Sequence, residues 1–195
     1  MLIEFIPLIS FAVITTFTPG PNNISSASMG IAHGYRGSLA YLTGIASGFF
    51  LVLMACAMIS HTLFEVLPQA EVYLKWIGAG YIFWLAIGTL RSGTMANDSQ
   101  SSQAFLKGFT LQLVNPKVAI FGLTIYSTFL ISITDRPEHI AASAFILAMN
   151  TFAAISTWTL FGAALRSRLA NDNVRKIINM LLALMLGYTA VTLVA

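Results

Sequence analysis

Five polar side chains stand out by position. Asn22 and Asn23 follow Pro19-Gly20-Pro21, while Gln112, Asn115 and Lys117 surround Pro116, all inside otherwise apolar stretches. Proline has no backbone N–H and clashes with the preceding turn, so each of these sites breaks a helix. A helix that restarts there begins with Pro21 or Pro116 at its first position, with Gly20 or Asn115 as the capping residue. A restarted helix presents free N–H groups and the positive end of its dipole. Two such ends, with the ammonium of Lys117, suit a carboxylate. The amides of Asn22, Asn23 and Gln112 offer donors and acceptors without net charge, and so suit an ammonium group. Together these features describe a place for a small zwitterion such as an amino acid.

Each feature also has a plainer reading. The two breaks could be proline kinks in a packed bundle. Lys117 could snorkel to the cytoplasmic headgroups, since no carboxylate partner lies in the apolar runs. Asn150, near the centre of the fifth run, reads as interhelical glue, and Ser156 and Thr157 as bonding to local carbonyls. Gly44 and Gly48, spaced G-x-x-x-G, read as a close helix contact. Cys56, the only cysteine, reads as a small packing residue.

The elements that carry these residues are membrane spans. Of 195 residues, 57% are hydrophobic and 9% charged, against about 25% charged in soluble domains. So little polar surface cannot cover a water-exposed globule of this size. Apolar runs fall at 3–33, 39–60, 72–90, 105–133, 140–163 and 177–195. A span needs ~20 residues, which predicts six helices. The first and fourth runs are over-long, and they are the two that contain the proline breaks. The first segment lacks a basic start and a small-x-small cleavage site, so it is expected to remain in the mature protein.

The whole of 1–195 reads as one all-α transmembrane transporter domain. The polar stretch 93–103 divides it into halves of about 1–92 and 104–195, with three runs on either side. Matching breaks in the first span of each half predict two inverted three-helix repeats with a site near mid-membrane. With the amino terminus outside, the cytoplasmic loops hold Arg36, Arg91, Lys107, Arg166, Arg168, Arg175 and Lys176, and the external loops hold Lys75 and Arg136. The positive-inside rule therefore places both termini outside.

Enzymatic chemistry is not expected. The chain has no H-E-x-x-H, no paired intramembrane aspartates, no Cys/His cluster and no nucleotide-binding loop. No metal or other cofactor is called for, and no nucleic acid. No filter-like segment favours a channel.

Several of these segments together resemble a known family. Thr18-Pro19-Gly20-Pro21-Asn22-Asn23, His33-Gly34-Tyr35-Arg36, 79–85 (AGYIFWL) and 105–117 (FLKGFTLQLVNPK) are similar to the LysE/RhtB amino-acid exporters, along the whole chain and in order. The Asn-Asn after Pro-Gly-Pro and Ser127-Thr128-Phe129 look most like the cysteine/O-acetylserine exporter branch. The resemblance implies a multi-pass protein of the bacterial inner membrane that exports amino acids or derivatives by alternating access, powered by the proton-motive force. The alternatives are a threonine or homoserine exporter of the same family, or a non-transporting scaffold. The expected partners are a small amino acid, the lipid bilayer and protons, with self-association left open. No acid lies in the runs to carry a proton, so coupling is assigned to His33, Glu4 or the substrate's own ionisation. The missing acids also favour a neutral substrate over lysine or arginine.

Overall fold

The computed structural model describes residues 5–59, 76, 79, 80, 82–84, 86, 87, 90, 101–134, 136–168 and 172–194. The expectations placed on Glu4, Lys75, Arg91 and most of the 93–103 linker fall outside these residues. Among the described residues every regular element is helical. The principal helices are α1 (Phe5–Phe17), α2 (Pro21–Ile59), α3 (Ser101–Leu113), α4 (Pro116–Thr124), α5 (Pro137–Arg168) and α6 (Asp172–Val194).

Both over-long runs are divided where proline requires it. In the first, Thr18 N–H donates to the Ile14 carbonyl at 3.0 Å as the last helical bond of α1. Pro19 cannot supply the next one, and it disfavours a helical Thr18. The fourth run breaks between Leu113 and Pro116. Beyond α4 it loosens into a π turn at Ile125–Phe129 and a short 3-10 turn at Ile131–Ile133. Its last third is therefore not a continuation of one α-helix.

The 39 residues of α2 would measure about 58 Å if straight, twice the ~30 Å hydrocarbon thickness. They are not straight. Gly34 has φ 69° and ψ 176°, a conformation open in practice only to glycine. The Tyr41 hydroxyl donates to Ser25 Oγ at 2.8 Å, though a straight helix would set these residues about 24 Å apart along its axis. The chain thus folds back at Gly34 into a helical hairpin of 21–33 and 35–59, which accounts for the first two apolar runs with almost no loop.

The broken spans pack on unbroken ones from the other half of the sequence. In the first broken span, α1 is tied to α5 by side-chain hydrogen bonds, and 21–33 lies against α5 at Gly30 and Gly162. There a Cβ on either glycine would strike the backbone of Thr159 or Ala27. In the second, α3 meets 35–59 at Gly44 and Gly108 in the same manner, and Gly122 of α4 faces Leu53 and Cys56. Small residues at these crossings let backbones touch, as membrane helix contacts require. Around the described part of the third run, Ala79, Ile82 and Ala86 are buried with Ile24, Ala183 and Leu186.

The outer surface is apolar. Ile6 on α1, Met58 on α2, Leu106 on α3, Ile146 and Phe161 on α5 and Leu184 on α6 are all exposed. Patches of this extent would drive aggregation in water and are ordinary against lipid. Among the described residues, Pro21–Ile59 and Pro137–Leu165 are long and apolar enough to cross a membrane by length and composition, and of the first the 35–59 arm alone would reach about 37 Å. The first and fourth runs are assembled from shorter pieces.

Candidate functional site

At the first break the carbonyl side is sealed. The Asn23 amide donates to the carbonyls of Thr16 at 2.7 Å and Thr18 at 2.9 Å. Trp158 Nε1, from α5, donates to the Phe17 carbonyl at 3.2 Å. Lys117 Nζ, from α4, donates to the Thr18 carbonyl at 3.4 Å. The last carbonyls of α1 are thus met by side chains from three helices, since water is scarce at that depth. The amino-terminal side of the same break has no such seal. Gly20 has no side chain to cap the N–H groups of Asn22 and Asn23, and the first helical bond of α2 comes only at Ile24 N–H to the Gly20 carbonyl, 2.9 Å.

The second break is closed by its own residue. Asn115 has extended backbone and accepts from Lys117 N–H at 3.1 Å through its side chain. Its carbonyl accepts from Val118 N–H at 3.0 Å. This is an N-cap with proline at the first helical position.

The two breaks meet. Asn22 Nδ2 donates to Gln112 Oε1 at 2.9 Å, and Gln112 Nε2 donates back to Asn22 Oδ1 at 3.0 Å. Asn115 Nδ2 donates to the same Asn22 oxygen at 3.0 Å. Residues about ninety apart in sequence form one amide cluster. Such bonds hold firmly where dielectric is low, and a lost partner is expensive there.

Beside this cluster lies a cleft of about 380 Å³ of empty space, counting its open mouth. Its walls include Gly20, Pro21, Asn22, Asn23, Asn115 and Lys117 from the breaks, Thr15, Thr16 and Thr18 from the end of the first helix, and Phe49, Val118, Phe121 and Thr151. None of the lining residues is acidic. The site can therefore offer the Lys117 ammonium and the open end of α2 to a carboxylate, with amide and hydroxyl oxygens for an ammonium and an apolar wall for a short side chain.

Four of the five polar residues expected at a site line the cleft: Asn22, Asn23, Asn115 and Lys117. Gln112 stands behind Asn22, almost fully buried, with its amide engaged on both sides. Lys117 does not extend away from the break. Its Nζ lies over Gly20, within 3.2 Å of where a Cβ would stand. Asn150 donates to Thr16 Oγ1 at 2.9 Å, joining α5 to α1. Thr157 bonds its local carbonyl on Ala153, whereas Ser156 accepts from the Tyr35 hydroxyl at 3.2 Å. Cys56 packs beside Gly122, with its thiol 3.7 Å from the Ala119 carbonyl. The sequence reading passed over Trp158 and Thr151. The available signal was a polar or indole-bearing residue near the middle of an apolar run.

A broken-helix bundle with a charged cleft at the breaks fits the class of membrane transporters. Residues 13–195 match the family described as LysE type translocator, and the chain belongs to that family. It is 39% identical over 184 residues, 93% of this chain and 93% of the relative, to the cysteine/O-acetylserine efflux proteins of Escherichia coli (strain K12) and Shigella sonnei (strain Ss046). No solved structure matches it. Family membership makes the protein a membrane transporter and not an enzyme, as the residue patterns implied.

Proposed function

We propose that this protein is a secondary transporter that exports small neutral amino acids or their derivatives, such as cysteine or O-acetylserine, across the bacterial inner membrane by alternating access. The observation that carries the reading is the meeting of two helix breaks at one cleft, with Lys117 of the second break lying over Gly20 of the first. In this reading the carboxylate binds between Lys117 and the open start of α2, and Asn22, Asn23 and Asn115 orient the ammonium group. Gln112 positions Asn22. The acid-free lining favours neutral substrates. The substrate named for the relatives supports the same class.

The fold behind this reading is two inverted three-helix repeats, with both termini on the outer side. The exchanged packing supports it, each broken span lying on the second span of the other half. Protons, where they couple, act through His33 or Glu4, or through the substrate's own ionisation. Purified protein in liposomes preloaded with labelled cysteine or O-acetylserine tests the reading directly. Counterflow is expected. Its absence for every amino acid tried, together with no labelling of single cysteines placed at positions 22 and 117, would favour a scaffold. A rate unchanged by an imposed pH gradient would rule out proton coupling.

A further inference from the structure

The α5 threonines behave differently from one another. Thr157 and Thr159 donate to the carbonyls four residues back, Ala153 at 2.9 Å and Ile155 at 2.7 Å. That is the ordinary way for a membrane helix to satisfy a hydroxyl. Thr151 does not. Only 3% of the residue is exposed, and its buried Oγ1 has no hydrogen-bond partner among the described residues. It also lines the cleft, where Phe49, Val118 and Phe121 supply apolar wall. Its neighbour Asn150 is committed to Thr16 and ties this turn of α5 to the end of α1. The hydroxyl thus sits on a helix tied to the end of α1, belongs to a residue that lines the cleft, and has no partner among the described residues.

An unpaired buried hydroxyl is costly unless something meets it. We propose that Thr151 reads the substrate's side chain, donating its hydroxyl proton to an oxygen there. The site then selects neutral α-amino acids whose short side chain carries a hydroxyl or ester oxygen over isosteres that end in a methyl group. A substrate oxygen gives this buried hydroxyl the partner it lacks among the described residues, whereas an analogue ending in a methyl group gains nothing there. This inference rests on the amino-acid export reading and specifies its substrate class. Thr151 is a specificity determinant, apart from the carboxylate contacts at Lys117.

Reconstituted protein is assayed with labelled serine and labelled 2-aminobutyrate, which differ by hydroxyl against methyl. The wild type is expected to show a KM about tenfold lower for serine, the size of one buried hydrogen bond. Thr151→Val should raise the serine KM about tenfold and change the 2-aminobutyrate KM far less, and thermal unfolding in detergent checks separately that the variant is folded. Thr151→Ser, which keeps the hydroxyl, should restore the preference. The proposal is overturned by transport of other amino acids but not serine, by equal wild-type KM values, or by a preference that survives Thr151→Val. An equal loss of both substrates in Thr151→Val also overturns it, because the hydroxyl would then serve the common backbone or the fold. Failure of the wild type to move any amino acid refutes the export reading instead, so the two failures are distinguishable.

Discussion

The two helix breaks look alike in sequence and differ in how they are finished. Each has a proline at the first position of a restarting helix. At the second, Asn115 closes the new amino terminus with its own side chain, and that end is spent. At the first, Gly20 offers nothing, and Asn23 turns back to seal the carbonyls of α1 instead. One break therefore serves as a strut, while the other keeps its amino-terminal N–H groups for a ligand. The strut contributes through its side chains: Lys117 reaches over the open break, and Asn115 braces Asn22. A pair of similar elements has been divided into a binding half and a supporting half.

The largest test of this difference is Lys117→Ala. It removes the only full charge among the described residues that line the cleft, and export is expected to fall by about a hundredfold or more, the scale of losing one partner of a desolvated charged contact. Transport near wild-type rates would mean the ammonium serves the carbonyl of Thr18 alone. Next is Asn22→Ala, which leaves Gln112 and Asn115 without their shared partner. Unfolding in detergent should show a loss of about 2 kcal/mol or more. The double variant Asn22→Ala/Gln112→Ala should be less destabilised than the sum of its parts, as groups in one network are. Additive losses would show that the amide cluster is not a unit.

Gly20→Ser tests the comparison most directly, since it gives the first break the cap that the second already has. The flexible end of Lys117 must shift slightly to admit it. Stability should hold or rise by about 1 kcal/mol while the substrate KM rises about tenfold, because the cap occupies N–H groups meant for the carboxylate. A KM that does not move would remove the open helix end from the site. The smallest effect is expected at the second break. Asn115→Ser retains a capping oxygen and should stay within about 1 kcal/mol of the parent, with Asn115→Ala about 1–2 kcal/mol below it. Thermal unfolding monitored with a thiol-reactive dye at Cys56 would resolve the order.

The helical character of the described runs and the two breaks were legible because their causes are local. Apolar runs of span length require helices in lipid, and Pro19, Pro21 and Pro116 lack the N–H that would continue one. Asn115 as a cap follows from its place before Pro116. The hairpin at Gly34 was partly legible, as a gap between two runs, but its tightness depends on a positive φ that glycine permits and does not announce. The sequence assigned Lys117 to a carboxylate, Asn22, Asn23 and Gln112 to an ammonium group and Asn115 to a cap, but not which of them reach the cleft. Only tertiary contact puts Gln112 behind Asn22, brings Lys117 over Gly20 and leaves Thr151 without a partner while Thr157 and Thr159 bond their own helix. Hydrogen-bond satisfaction is a property of what surrounds a group. No spacing along one chain records which donors from other helices arrive there, and so the division between open and closed breaks belongs to the folded protein alone.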